Sequence, residues 1–220
     1  MRGALFAGLV SIAGPAMGCD VALMLAVDVS GSVDPAEYRT QKDGLADALE
    51  ERAIATALIE SRAKVALMQW TGSGRQRVVL EWAGMETQAD VVRFAARVRE
   101  EPRVWRNYST AIGEALALAL EQFALVPQCR RRIVDISGDG PSNEGRSPRD
   151  MRQALAAAGV TVNALVIEES EPGLTAYFAR EVIAGEGAFA VTANTFDDYP
   201  AEIRRKLLRE LSRAIASIEK

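Results

Sequence analysis

The 220-residue sequence contains no histidine, only two cysteines, and aromatic residues at only 6%. Without histidine there can be no Ser-His-Asp or Cys-His catalytic group, no imidazole proton relay and no zinc ion held by imidazole. Two thiols are too few for a four-thiolate zinc or iron–sulfur site. Any chemistry or metal binding must therefore use carboxylates, hydroxyls, Lys, Arg, Tyr or the two thiols.

A large excess of charge of one sign is also missing. Lys and Arg total 26 against 30 Asp and Glu, and the net charge of −4 provides no general attraction to nucleic acid or anionic membranes. Hydrophobic residues make up 49% and charged residues 25%, which are ordinary values for globular proteins and exclude a disordered or low-complexity chain. The length predicts one domain with a full core.

The N-terminus has the pattern of an export signal. Arg2 precedes an apolar run over residues 3–14, and Ala16 and Gly18 occupy the −3 and −1 positions for cleavage before Cys19. The run of about twelve apolar residues is shorter than the ~20 needed to span a membrane. These features favour a cleaved signal peptide over a buried helix or a membrane anchor.

We therefore expect residues 1–18 to be a signal peptide and residues 19–220 to be a single domain, located in the periplasm or secreted. A lipoprotein with an acylated Cys19 is the weaker alternative, because Ala16 stands where such sites normally carry Leu.

Segments with strand and helix patterns alternate along the rest of the chain. Strands are predicted over residues 21–27, 63–70, 76–82, 132–137, 160–167 and 188–191, and helices over 34–59 (with a break near 52), 87–99, 110–123, 149–158, 174–183 and 200–218. The second and third strands flank a short turn and form a hairpin. Alternation of this kind predicts an α/β fold with a doubly wound, mainly parallel sheet and helices on both faces.

Hydroxyls and carboxylates follow the predicted strands. Asp28, Ser30 and Ser32 come directly after the first strand, Thr110 stands at the start of a helix, and Asp139 follows the fourth strand. Ligands of such sheets bind beyond the carboxyl ends of the strands, and oxygen-only ligands suit Mg²⁺ or Mn²⁺. Each piece also has a simpler interpretation, because Ser and Asp form capping turns and Thr110 could be a helix N-cap.

The Asp-x-Ser-x-Ser run at 28–32, the Thr at 110 and the Asp-Gly at 139–140 resemble the metal-ion-dependent adhesion site (MIDAS) of von Willebrand factor type A (vWA) domains. The resemblance covers residues 19–218 and points in particular to an exported bacterial subfamily with no assigned activity. It implies a Rossmann-like sheet of strand order 3-2-1-4-5-6 with one antiparallel edge strand. It also implies that Ser30 and Ser32 bind the metal directly, and that Thr110 and the two Asp residues bind it directly or through water.

One residue departs from the family pattern. Gly138 stands where many members carry Thr, and we expect this to alter hydrogen bonding in the loop without removing a ligand.

The resemblance also places Asp28 and Asp139 at the ends of adjacent parallel strands. Cys19 lies nine residues before Asp28 and Cys129 ten before Asp139, so in that arrangement the two cysteines lie within disulfide distance at the opposite edge of the sheet. An oxidising compartment outside the cytoplasm permits the bond. Two buried free thiols are the alternative.

The function implied by the resemblance is divalent-cation-dependent binding of a protein that offers an Asp or Glu to the metal, without catalysis. Trp105, Arg106 and Tyr108 precede Thr110 and are candidate contacts for that partner, although Trp105 could instead pack in the core. A Mg²⁺-dependent phosphatase of the haloacid dehalogenase type is the enzyme alternative, but Ser30 stands where its second carboxylate would be needed. A vWA domain with a vestigial site is the third possibility.

Basic residues also cluster in the last predicted helix. Arg204, Arg205, Lys206, Arg209 and Arg213 surround an apolar stripe, and we expect them to form a solvated face.

Overall fold

Six strands form one mixed sheet. The computed structural model describes residues 18–216, with side chains described as far as residue 212. The strands are β1 (Cys19–Asp28), β2 (Lys64–Trp70), β3 (Gln76–Gly84), β4 (Cys129–Gly138), β5 (Val160–Ile167) and β6 (Ala190–Ala193). Their order across the sheet is β3-β2-β1-β4-β5-β6, and only β3 runs antiparallel to its neighbour. The predicted fold class and strand order are confirmed.

Seven helices cover the two faces of the sheet within the described residues. They are α1 (Pro35–Glu50), α2 (Arg52–Glu60), α3 (Gln88–Glu100), α4 (Ile112–Gln122), α5 (Pro148–Ala157), α6 (Leu174–Glu181) and α7 (Tyr199–Ala216), with short 3₁₀ turns at Phe123–Leu125 and Phe196–Asp198. The first begins as its sequence predicts, since the Asp34 side chain accepts hydrogen bonds from the backbone at Ala36 and Glu37, and Glu37 bonds back to Asp34.

Both faces of the central strand are buried, which is why its sequence is apolar without alternation. Leu23 and Leu25 face a core formed with α1, α2, α3 and α7, whereas Met24 and Ala26 face a second core formed with α4, α5 and α6. The strand ends are therefore held in a rigid frame, and the loops that follow them meet at one edge.

Helix α7 corrects one expectation. Arg204 and Arg205 are exposed as predicted, but Lys206 is fully buried. Its Nζ lies 2.6 Å from Asp135 Oδ1 on β4 and 2.7 Å from Glu210 Oε1. A buried lysine is stable only with such partners, so this residue belongs to the interior of the fold.

The predicted disulfide is present. Cys19 and Cys129 are paired residues at the starts of β1 and β4, with a Cα–Cα distance of 4.4 Å. The bond closes a loop with a sequence separation of 110. In the chain-entropy model, a loop of this length contributes about 4–5 kcal/mol to stability.

The predicted signal peptide falls almost wholly on residues 1–17, which lie outside the described residues. In the part of the chain that the structure covers, no helix combines the length and apolar character needed to cross a membrane.

Candidate metal centre

Asp28, the last residue of β1, is fully buried at the edge of the sheet where parallel strands end. Its Oδ1 accepts a hydrogen bond of 2.7 Å from the backbone N–H of Ser30, which is the local turn that a capping interpretation predicts. The other oxygen, Oδ2, is also buried and has no hydrogen-bond partner. A buried carboxylate oxygen without a hydrogen-bond partner lowers the stability of the fold unless a ligand binds to it.

A short series of side-chain contacts connects β1 to β4. The Ser30 and Ser32 hydroxyl oxygens lie 3.2 Å apart, and Ser32 donates a hydrogen bond of 2.8 Å to Asp139 Oδ1. Asp139 directly follows β4, the neighbour of β1 in the sheet. Four of the five candidate ligands are thus connected by contacts within a few ångströms of each other.

Thr110 is buried in the loop that leads into α4, and its hydroxyl takes part in none of those contacts. Its backbone is held beside the loop after Asp139, because Thr110 N–H donates to Asn143 Oδ1 and its carbonyl accepts from Asn143 N–H, both at 2.9 Å. The N-cap of α4 is Ala111, so the hydroxyl of Thr110 is not spent on capping as the simpler interpretation requires.

Arg103 is a residue of this site that sequence reasoning did not single out. Its Nη2 donates to the carbonyl oxygens of Val29 and Ser30, at 3.0 and 2.7 Å, and so holds the first loop in place. In the sequence it stands in the basic and aromatic run before Thr110. Nothing in that run distinguishes an arginine that supports a loop from one that contacts a partner.

The glycine before Asp139 has a steric explanation. A Cβ atom at Gly138 would lie 3.2 Å from Asp28 Oδ2, 3.3 Å from Phe178 Cζ and 3.5 Å from Trp70 Cζ2. A side chain at this position would therefore meet the buried carboxylate and two aromatic rings, and the Thr found in many vWA domains would be crowded here. The glycine thus makes room for the side chains around Asp28, and its effect on hydrogen bonding in the loop stays a prediction.

The two carboxylates of the site repel each other, and the charge of Arg103 acts on both of them without forming an ion pair. Burial, and in second place the charge of Asp139, raise the pKa of Asp28, and burial likewise raises the pKa of Asp139. Glu169 adds further repulsion at Asp139. Within residues 18–212, no Lys or Arg lies within ion-pair distance of either Asp.

The donor chemistry fits a hard divalent cation. Across the described residues, no three Cys, Asp or Glu side chains converge closely enough to chelate a metal by themselves, so a metal site here has to include hydroxyl ligands. Two carboxylates and neutral hydroxyls, with one buried carboxylate oxygen unpaired, are a set that Mg²⁺ or Mn²⁺ can use.

The candidate partner contacts lie beside this site. Arg106 and Tyr108 are exposed, whereas Trp105 is half-buried and packs partly against the core. The Tyr108 carbonyl accepts a hydrogen bond of 2.8 Å from Gly31 N–H, between Ser30 and Ser32. The aromatic loop therefore borders the first candidate metal loop.

Comparison with known families and structures agrees with the fold. The model of the family described as "Protein of unknown function (DUF1194)" matches residues 18–215. No curated protein matches the sequence significantly.

Several solved structures have the same fold at low sequence identity. Proximal thread matrix protein 1 (PTMP1) from the mussel byssus is 19% identical with a TM-score of 0.63, and the match covers 89% of this chain and 49% of that one. A further PTMP1 structure is described as having a zinc-occupied MIDAS motif. A von Willebrand factor type A protein from Catenulispora acidiphila is 19% identical with a TM-score of 0.59, covering 89% and 42%.

An aerotolerance-related membrane protein from Bacteroides fragilis is 15% identical with a TM-score of 0.59, and the match covers 88% of this chain and 99% of that one. The chain spans about half the length or less of the PTMP1 and Catenulispora proteins. The structural similarity shows that the chain has the vWA fold, in agreement with the resemblance found in the sequence.

Proposed function

The chain belongs to the DUF1194 family, and from this premise and its vWA fold we propose that it is an exported module that binds a divalent cation and, through that cation, a carboxylate of a partner protein. The proposed ligands are Asp28, Ser30, Ser32, Thr110 and Asp139. The observation that carries the proposal is the buried, unpartnered Oδ2 of Asp28, beside the half-buried carboxylate of Asp139 and without an ion-paired cation among residues 18–212.

The chemistry of the five residues supports binding of a cation whose charge is only partly offset. Asp28 and Asp139 supply two negative charges, and the three hydroxyls supply none. When bound, an Mg²⁺ or Mn²⁺ ion supplies a position that an outside carboxylate can occupy, since such ions prefer six oxygen ligands. Ser30 and Ser32 lie between the two Asp residues, and the contact between their hydroxyls and the bond from Ser32 to Asp139 keep these oxygen atoms close together.

Three further observations support the proposal. A similar structure, that of PTMP1, is described with a zinc-occupied MIDAS motif, so the fold accommodates a divalent metal at such a motif. Ser30 is buried and has a hydroxyl where the phosphatase alternative needs a carboxylic acid, so no catalytic role is proposed. The disulfide supports an exported location, because such bonds persist in oxidising compartments.

The test is thermal unfolding of the oxidised protein purified from the periplasm of an expression host. Mg²⁺ or Mn²⁺ at a hundred times the dissociation constant should stabilise it by about 2.7 kcal/mol, which corresponds to a rise in Tm of about 5–10 °C. Asp28→Ala should abolish this rise, and Ser30→Ala should reduce it. Asp43→Asn, which removes an exposed carboxylate of α1, is the matched control. Absence of any rise in the wild-type protein contradicts cation binding.

The adhesion step is tested separately by recovering partners from a periplasmic extract in Mg²⁺ and in excess chelator. We expect a partner that is lost both in chelator and with Asp28→Ala. Recovery that is equal in the two solutions contradicts a metal-dependent partner.

A further inference from the structure

A group of arginines and aromatic rings lies beside the candidate metal centre. It consists of Arg75, Arg77, Trp105, Arg106 and Tyr108, and we call it the arginine patch. The Arg75 guanidinium lies 3.9 Å from the centre of the Tyr108 ring, and that of Arg77 lies 5.9 Å from the centre of the Trp105 ring. Stacking of this kind restricts a guanidinium group and leaves its in-plane N–H donors available to acceptors.

The positive charge of the patch is not neutralised by the protein itself. In the part of the chain with described side chains, Arg75, Arg77 and Arg106 make no ion pair with Asp or Glu. Arg99 and Arg149, by contrast, pair with carboxylates at 2.5–2.7 Å. Three guanidinium groups at one edge therefore have their charge available to a ligand.

The patch is continuous with the metal centre. Tyr108 bonds to Gly31 of the first metal loop through its carbonyl, and Thr110 is two residues further along the chain. The turn before β3, which carries Arg75, is held to the same loop because Thr71 Oγ1 donates to the Ser109 carbonyl at 2.9 Å. A segment that reaches the cation from this side must pass over the patch.

The opposite side of the site is negative. Glu37 of α1 and Glu169, which follows β5, both act electrostatically on their neighbours there, including each other and Asp139. The site thus has three arginines on the side of β3, where one carboxylate, Glu144, accepts a hydrogen bond from Ser73 N–H at 3.1 Å, and only carboxylates on the side of α1 and β5. An anionic ligand is attracted on one side and repelled on the other, which favours one orientation.

We propose that the partner's contact segment is acidic beyond the single residue that binds the cation. One carboxylate takes the metal position, which rests on the proposed function, and at least one further Asp or Glu pairs with the arginine patch. Arginine–carboxylate hydrogen bonds are strong and directional, so the second pairing adds affinity and selects the side of approach. A partner segment with a single Asp and no other charged residue would bind through the cation alone.

The test compares two octapeptides by fluorescence anisotropy, one with a single central Asp among Gly and Ser, the other with further Asp and Glu on one side. In Mg²⁺ we expect the acidic peptide to bind at least about tenfold tighter, which is one strong charge pair. The advantage should shrink in about 0.3 M salt, because exposed charges are screened. Equal affinity of the two peptides, or no binding of the acidic one, overturns the proposal.

Variants locate the effect. The double change Arg75→Gln with Arg106→Gln should reduce the preference to less than about twofold, while the rise in Tm with Mg²⁺ stays as in the wild-type protein. Arg204→Gln, an exposed arginine of α7 outside the patch, is the control and should change neither quantity. A preference that survives the double change overturns the assignment to the patch.

Two other results separate this proposal from the one it rests on. If chelator leaves the binding of the acidic peptide and its dependence on the patch unchanged, the metal-mediated function fails while the patch still binds acidic segments. If a sulfated oligosaccharide of equal charge binds tighter than the peptide and with the same dependence on the patch, the ligand is a glycan and the acidic-protein proposal is wrong.

Discussion

Two pairs of carboxylates lie close to β4, and their negative charge is balanced in different ways. Asp135, Glu210 and Asp28 are buried, and Asp139 is half-buried. Asp135 and Glu210 enclose the ammonium group of Lys206, at 2.6 and 2.7 Å. Asp28 and Asp139 have no such group among the described side chains. Arg103, whose charge acts on both of them, donates its hydrogen bonds to backbone carbonyls instead.

This difference between the two pairs indicates which of them is the better candidate for binding a ligand. Both pairs face the same physical problem, because burying negative charge is costly without a positive partner. The pair under α7 has its cation within the fold, in Lys206, although Asp135 Oδ2 and Glu210 Oε2 have no hydrogen-bond partner of their own. The pair at the sheet edge has no ion-paired cation within residues 18–212, and it lies where α/β sheets place their ligands.

The largest loss of stability is expected from a substitution at Lys206. Lys206→Met leaves Asp135 and Glu210 buried together without a cation, and we expect the free energy of unfolding to fall by about 3–5 kcal/mol. Urea unfolding in chelator measures it. Arg205→Met removes the exposed neighbouring charge and should cost less than about 1 kcal/mol. A similar small loss for both variants would show that the lysine does not hold the two carboxylates in the fold.

At Asp28, by contrast, we expect a substitution to raise the stability of the metal-free protein. Burial raises the pKa of Asp28, so the carboxyl lowers the stability of the metal-free protein once the pH exceeds its ordinary value of 3.8. Asp28→Asn should therefore stabilise the protein in chelator, by about 1–2 kcal/mol, while removing the response to Mg²⁺. Asp43→Asn is again the control. A loss of stability in chelator as large as that of Lys206→Met contradicts the distinction between the two pairs.

A smaller effect, on the pH dependence of stability, is expected from Glu210 beside Asp135 and Lys206. Burial, followed by the charge of Asp135, raises the pKa of Glu210 from 4.5 to about 8. The folded protein then retains a proton that the unfolded chain releases, so this stabilising contribution is complete below pH 4.5 and is lost as the pH rises through about 8.

Glu210→Gln removes that dependence. Between pH 5 and 9 the Tm of the variant should rise relative to the wild-type protein by at least about 2–4 °C, which corresponds to a loss of at least about 1 kcal/mol of stability in the wild-type protein. Differential scanning calorimetry across this range measures the gap. Glu171→Gln, which removes an exposed carboxyl, is the control, and its curve of Tm against pH should run parallel to that of the wild-type protein. A constant gap for Glu210→Gln would mean that this group does not titrate with folding.

Much of the fold could be predicted from the sequence because its signals are local. The apolar run of β1 and the Asp34 and Glu37 capping pattern depend on neighbours in the chain. The predicted break near Arg52 falls at Glu51, between α1 and α2. The strand order and the disulfide needed more than local pattern, since they depend on which strands are neighbours, and the vWA resemblance supplied that information.

The errors and omissions concern contacts between distant parts of the chain. Lys206 was expected to be solvated because it stands among arginines, and nothing near it in sequence indicates Asp135 as a partner. Arg103 holds a loop that is formed by Val29 and Ser30. For the candidate ligands, the motif predicts which residues come together but not that one Asp28 oxygen stays unpaired, because that depends on which distant side chains reach it in the fold.

The disulfide gives the sheet a mechanical property. Tension applied at Asp28, at the metal edge, runs along β1 to Cys19 at the other end of the strand. The Cys19–Cys129 bond transfers part of that tension into β4 at the far end, so two strands carry the load in parallel. Because neither strand can slide past the other at its fixed end, Asp28 and Asp139 stay level as the load rises. Reduction of the bond would leave the ladder hydrogen bonds alone to resist the shear.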